Sequence, residues 1–374
     1  MRIGIEAQRI FRKNKHGMDY VVLHEILELQ RMDTPHEYFV FVKPGEDRCV
    51  SDSHNVHVVE LRCPTYPLWE QWALPRAVRH YGIQLLHCTS NTAPLWCDVP
   101  LVLTLHDIIF LEPRDKQNHS LYQNMGWLYR RLVVPRILDR CRRIITVSNF
   151  ELENIITRLH IPRERMAMLY NGYNEWFRPV DDTVGIYKRY IPQPGYFFFL
   201  GNTDPKKNTE RTLVAYAKYL RQSSVRRPLL MADLDPDYLD GIIARNRIAD
   251  IRSHIVMPGY IVNSDLPYVY GNAFAFLYTS LRESFGIPLL EAMACGTPVI
   301  TSNTSSMPEI GGPDAILVNP ESSDDIAAMM LRLERDAAFY ASQRQVGLSR
   351  ACLFSWHATA CQLLALYESV GADR

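Results

Sequence analysis

Residues 272–303 read NAFAFLYTSLRESFGIPLLEAMACGTPVITSN. An almost unbroken apolar run comes first, then a polar loop holding one glycine. A segment rich in Leu, Ala and Met follows, and a second β-branched run closes the stretch. That order is strand, loop, helix, strand. A strand apolar along its whole length, rather than alternating, is one covered on both faces, as in parallel sheets flanked by helices. Pro288 stands where the helix should begin, a position that tolerates its missing N–H.

The same pattern extends outward. RIGIEA, EYFVFV, NVHVVEL, IQLLHC, PLVLTLHDI and RRIITVS recur through the first half, and GYFFFLGN, RPLLMAD, SHIVMPGY, NAFAFLYTS, GTPVITSN and DAILVNP through the second. Each series amounts to one doubly wound parallel sheet, so the expected class is α/β with two Rossmann-like domains facing a central cleft. The proline- and charge-rich stretch at 176–196, WFRPVDDTVGIYKRYIPQPGY, reads as the crossing between them. A chain of 374 residues also suits about two domains. Lys and Arg balance Asp and Glu at 41 each, so no global field argues for nucleic acid. Eight scattered cysteines without a C-x-x-C point to reduced thiols. No signal-like leader and no membrane-length apolar run is visible, and a cytoplasmic protein is expected.

In doubly wound folds, ligands lie beyond the carboxyl ends of the strands. After LYTS, the backbone N–H groups of Phe285, Gly286 and Ile287 should point out of a helix N-terminus, a site suited to phosphate. Glu291, one turn into that helix, can accept two hydrogen bonds from a ribose diol, and Glu283, before the turn, can reach hydroxyls beyond the phosphates. Eight positions thus place one carboxylate at each end of a nucleotide-linked sugar, and neither is expected to be buried in a core. The alternative is a capping Glu283 and a solvated Glu291. A second anion site follows YFFFL: Gly201 ends the strand, and Lys206, Lys207 and Asn208 precede a helix. A lysine there neutralises a diphosphate without a metal.

The block RESFGIPLLEAMACGTPVITSNTSSMPEIGG resembles the E-x7-E signature of the retaining glycosyltransferases of family 4, the group 1 enzymes of GT-B fold. VSNFELENI, LYNGYNEWFRP, GNTDPKKN, MPGYIVNSDLPYVYGNAFAFLYTS and FSWHATACQLLALY are similar to further family segments, in the family's order. The resemblance implies a mannosyltransferase-like hexosyltransferase that uses a nucleoside diphosphate sugar, GDP-mannose or a UDP-sugar. Its acceptor would be a saccharide or a lipid-linked saccharide, as in cell-surface polysaccharide synthesis. Lys207 matches the lysine that contacts the diphosphate, Glu291 the ribose-binding glutamate and Glu283 the one at the donor sugar. Ser284, Phe285, Gly286 and Ile287 match the turn that meets sugar and phosphate. His106 is similar to a strand-end histidine beside the sugar, and Gly17 to a loop approaching phosphate and acceptor. His106, Glu283 and Lys207 are therefore the catalytic candidates, with Gly201, Asn202, Lys206 and, near the base, Gly259, Tyr260 and Ile261 completing the donor set. The implied domains are an acceptor-side domain over 1–180, a donor-binding domain over 181–353 and a final helix, 354–374, crossing back to the first. Asn202 stands where many relatives carry arginine, which leaves Lys206 or another cation to supply the second charge. Only Gly17 remains of a usually glycine-richer loop.

No cofactor and no metal are expected. Asp233 and Asp235 imitate a metal-binding D-x-D, but Pro236 behind them argues for a helix cap. Residues 125–144 interleave Arg130, Arg131, Arg136, Arg140, Arg142 and Arg143 with Trp127, Leu128, Leu132 and Val133. That pattern fits either peripheral contact with an anionic membrane or a packed helix with solvated arginines. A nucleotide-sugar epimerase on the same fold and a non-catalytic nucleotide-sugar-binding subunit remain the alternative functions.

Overall fold

The computed structural model describes residues 1–111 and 121–372. Two compact units divide the chain: residues 1–172 with the last helix, Trp356–Ala372, and residues 173–355. The first holds β1 (Arg2–Glu6), β2 (Glu37–Val42), β3 (Val56–Glu60), β4 (Leu85–Cys88), β5 (Leu101–Thr104), β6 (Cys141–Thr146) and β7 (Met166–Met168), in the spatial order 3-2-1-4-5-6-7. The second holds β8 (Tyr196–Leu200), β9 (Leu229–Ala232), β10 (Ile255–Val256), β11 (Ala273–Tyr278), β12 (Val299–Ser302) and β13 (Ile316–Val318), in the order 10-9-8-11-12-13. The pairs at the centre of both sheets are parallel. The unbroken apolar runs follow from this: Phe197, Phe198, Ala275, Phe276 and Leu277 are all shielded from solvent on their respective faces. Three-residue β7 is the strand the run pattern passes over; its residues are only half-buried and carry little apolar signal.

Strand order reverses between β1 and β4 in the first unit and between β8 and β11 in the second, so each unit has one switch point where a ligand crevice opens. Residues 176–196, read as a crossing, belong to the second unit and are anchored in it. Tyr187 and Ile191 are buried, Asp182 accepts from the Ile186 and Tyr187 amides, and Tyr190 donates to Asp265 at 2.7 Å. The last helix packs within the first unit, where Leu363, Tyr367 and Val370 join Ile3, Ile5 and Val40 in one cluster. Tyr367 bonds His87 at 2.7 Å, and Trp356 stacks on His24. All eight cysteines are free thiols.

Candidate functional site

In the second unit the loops leaving β8 and β11 meet at the switch point. Asn202, exposed, starts the first loop: its amide oxygen accepts from the Asp204 N–H at 2.8 Å, and its carbonyl accepts from Thr209 at 2.6 Å. Gly201 is tight, since a Cβ there would lie 2.7 Å from the Leu234 Cβ and 2.9 Å from the Ala232 carbonyl. Asn208 takes a left-handed conformation and donates to the carbonyls of Thr279 and Pro320, which welds the loop to the end of β11. The Leu281 N–H adds a bond to the Lys206 carbonyl at 2.7 Å. Lys206 spends part of its charge on Asp204 at 3.2 Å, so it is a weak substitute for the arginine that Asn202 replaces.

Lys207 and Glu283 arrive from these two loops and pair at 2.6 Å, with the lysine over the Tyr278 ring. Behind Glu283 stands a support that the sequence reading passed over. Ser305 Oγ accepts from the Glu283 N–H at 3.0 Å, and the Ser305 and Ser306 hydroxyls both donate to the Glu283 carbonyl. Arg282 donates to that same carbonyl and to Ser305. These serines follow β12, and the rule of inspecting polar residues after each strand would have reached them. Gly286 sits at φ 104°, a left-handed value that favours glycine, and a Cβ there would meet the Met307 Cε at 2.7 Å. The helix Ile287–Ala294 begins directly after it, with Ser284 and buried Phe285 completing the turn.

Glu291 departs from expectation. Its residue is half-buried, but its carboxyl is enclosed, and burial pushes it up to about 8, opposed by the Tyr270 hydroxyl. The helix Ile287–Ala294 that carries Glu291 packs against the helix Leu266–Asn272 that carries Tyr270, and buried Leu290 and Ala292 flank Glu291 in the chain. Gly259, at φ 79°, bonds its carbonyl to the Asp233 N–H; Tyr260 next to it is 67% exposed and Ile261 is buried. Asp235 caps the helix Pro236–Asn246 through the Tyr238 N–H.

The first unit has its own polar cluster at the ends of β1 and β4. Buried Glu6 accepts from the Gln8 and Thr89 amides. His106 is buried, with Nε2 donating to the Thr89 carbonyl at 3.0 Å and its backbone N–H donating to Asn91. Since a carbonyl only accepts, Nε2 carries the proton and Nδ1 is the lone-pair nitrogen of the neutral ring. Burial lowers the His106 pKa, against the Thr89 carbonyl and Asp107, which favour the proton; Arg9 opposes it and Asp19 supports it. Asp19 is buried and shared by Arg9 at 3.5 Å and by Arg12. Arg9 and Arg12 thus bring two guanidinium groups to this loop. Gly17 opens the helix Gly17–Arg31, and a Cβ there would meet nothing within 4 Å. Buried Glu70 lies on a π-helical turn, Trp69–Ala73, and accepts from Tyr66, Thr92, Gln71 and Tyr129. None of these was singled out from sequence.

Two family models match the chain: glycosyltransferase family 4 over residues 16–176 and glycosyl transferases group 1 over residues 189–348. O-antigen chain mannosyltransferase B of Escherichia coli is 28% identical over 317 residues, covering 81% of this chain and 78% of that one. A serotype-specific mannosyltransferase of Escherichia coli is 28% identical over 274 residues, or 70% of this chain; the aligned part spans only 33% of that protein's length. Among solved structures, sucrose-phosphate synthase from Thermosynechococcus elongatus superposes with a TM-score of 0.75 at 21% identity, covering 100% of both chains. Anabaena HepE in complex with UDP-glucose gives 0.75 at 17% identity, covering 99% of this chain and 100% of that one. With parallel sheets of seven and six strands, a signature block on the β11 switch point and family matches over both halves, this chain belongs to the group 1 glycosyltransferases of family 4 and is a hexosyltransferase of GT-B fold.

Proposed function

We propose that the protein transfers a hexose, with retention at the anomeric carbon and without a metal, from a nucleoside diphosphate sugar to a saccharide or lipid-linked saccharide in polysaccharide synthesis. The observation that carries this is the Lys207–Glu283 pair beside the Gly286 turn, which sets a cation, a carboxylate and a helix N-terminus together at one switch point. Lys207 and the turn amides meet the leaving diphosphate, Glu283 the sugar hydroxyls, and Glu291 the ribose. Departure and attack on one face of the sugar keep its configuration; the leaving phosphate oxygen takes the acceptor's proton as the new glycosidic bond forms and the anomeric C–O bond breaks. The names of the 28%-identical relatives favour mannose as the sugar.

The first unit is proposed as the acceptor side, resting on an anionic membrane. Its exposed large hydrophobics, among the described residues, are Leu68, Trp72, Trp96, Met125, Leu128 and Leu132. Arginines lie over neighbouring rings: Arg76 on Trp72, Arg131 on Trp127 and Arg140 on Trp96. Gln71 ties these segments together through the Tyr129 hydroxyl and the Leu95 N–H, each at 2.8 Å. Aromatic and aliphatic groups ringed by arginine suit a headgroup boundary. No helix among the described residues is long and apolar enough to cross a membrane.

The test is product analysis with GDP-mannose, UDP-glucose and other nucleotide sugars in EDTA. One donor should yield a glycoside with the donor's own anomeric configuration. Inverted product, or none without manganese, contradicts the proposal.

A further inference from the structure

The end of β12 and the loop after it strap the loop after β11 with a ladder of hydroxyls. Thr301 donates to the Tyr278 carbonyl at 3.0 Å and Ser302 to the Ser280 carbonyl at 2.6 Å. Ser306 donates to the carbonyls of Glu283 and Phe285 at 2.9 and 3.2 Å. These bonds secure the fold of the loop, and each needs only a hydroxyl facing a carbonyl. Ser305 does something more: its Oγ donates to the Glu283 carbonyl and also accepts from the Glu283 N–H at 3.0 Å.

That N–H belongs to the peptide plane before the Glu283 Cα, and that carbonyl to the plane after it. One oxygen therefore pins both planes, which fixes φ and ψ of Glu283 and with them the direction of its side chain. The Arg282 guanidinium donates to the same Oγ at 3.3 Å, so the hydroxyl's one proton and two lone pairs are all in use. Ser305 reaches this position in a left-handed conformation, φ 60°. Such a backbone suits glycine and is unfavourable for serine. Strain of this kind persists only where its surroundings impose it, and it gathers at sites that act on ligands. Glycine would ease the backbone and lose the oxygen, so the conformation alone does not account for a serine here.

At its other end, the Glu283 side chain is tethered by Lys207 at 2.6 Å. When Lys207 shares its donors with a diphosphate, that tether weakens just as the carboxylate is needed at the sugar. We propose that Ser305 is a positioning residue for glycosyl transfer: its hydroxyl clamps the Glu283 backbone so that the carboxylate keeps its aim at the hydroxyls of the sugar in transit. This rests on the assignment of Glu283 to the donor sugar and of Lys207 to the diphosphate. A carboxylate held in this way loses little freedom on reaching the transition state, where small misplacements lower the rate steeply.

The test compares wild type with Ser305→Ala, Ser305→Gly, Glu283→Ala and the double variant Ser305→Ala with Glu283→Ala. Release of GDP from GDP-mannose and of UDP from UDP-glucose, with water as acceptor, gives kcat and KM, and calorimetry gives the affinity for GDP and UDP. Both Ser305 variants should lower kcat about fivefold, less than Glu283→Ala does, with KM and diphosphate affinity within about twofold of wild type. Ser305→Gly, whose backbone accepts φ 60°, keeps the test open should alanine disturb the fold. In the Glu283→Ala background, Ser305→Ala should cost no further turnover, because the serine acts through that carboxylate. Wild-type turnover in Ser305→Gly, a loss shared equally by turnover and diphosphate affinity, or additive losses in the double variant each overturn the positioning role and leave the Glu283 assignment standing. Glu283→Ala with wild-type turnover overturns both, as does a wild type that releases neither diphosphate.

Discussion

Lys207 and Glu283 pair at 2.6 Å with side chains 28% and 13% exposed, so neither charge is well served by water. A lysine ammonium has three donors and can hold the carboxylate and a phosphate oxygen together. Removing Glu283 frees the cation for phosphate, while removing Lys207 strands a carboxylate. Glu283→Ala is accordingly expected to bind the bare nucleoside diphosphate as tightly as wild type or more tightly, while turnover falls at least about tenfold, because its lost contact is to the group being transferred. Calorimetry and initial rates check this; an equal loss in nucleotide affinity and rate would remove Glu283 from the sugar. Both residues were legible in the sequence because each follows a strand at a switch point. Their mutual pairing was not, since 76 positions separate them and either alone reads as a solvated charge. Ser305 and Ser306 were hidden differently: serine after a strand is common, and only the fold brings it under the Glu283 backbone.

On the scale of elements, the helices Gly17–Arg31 and Trp356–Ala372 pack together around a carboxyl. Glu25 is 5% exposed, and burial raises its pKa to about 8. The unfolded chain releases that proton near 4.5, so between pH 4.5 and 8 the folded state holds more proton and stability falls as pH rises. Next to it, His24 is lowered to about 4 and acts oppositely, adding stability as pH rises from 4 to its ordinary 6.5. Glu25→Gln removes only the first effect. Its melting temperature should match wild type near pH 4.5, exceed it by a margin that grows up to pH 8, and level off above; a margin independent of pH would mean Glu25 is not held neutral. Strands such as YFFFL were legible because a doubly covered strand has no polar face. The π-turn at Trp69–Ala73 was not, since WEQWALPRAV has the composition of a plain helix and two partners of Glu70, Thr92 and Tyr129, come from distant segments.

For the whole molecule, the sequence announced a two-sheet α/β chain and concentrated its specific signal on the donor loops, where chemistry restricts residue type. Acceptor and base stayed silent. Gly259 offers backbone rather than a side chain, and an extended acceptor surface is shared among ordinary residues. The arginine–tryptophan face of the first unit implies cosedimentation with vesicles containing phosphatidylglycerol, weakened by salt and by Trp72→Ala with Trp96→Ala, and little binding to pure phosphatidylcholine. Equal binding to both vesicle types would contradict an electrostatic contact. The central claim is that a nucleotide sugar is held without metal by the second unit, through Lys207. Its most direct test is titration of wild type and Lys207→Ala in EDTA with GDP-mannose, UDP-glucose and their free diphosphates. The expected result is metal-free binding of one pair by wild type, with sugar and diphosphate both weakened by about 1.5–3 kcal/mol in the variant, the range for hydrogen bonds to charged groups. Binding that requires a divalent ion, or a variant that binds as wild type does, would contradict it.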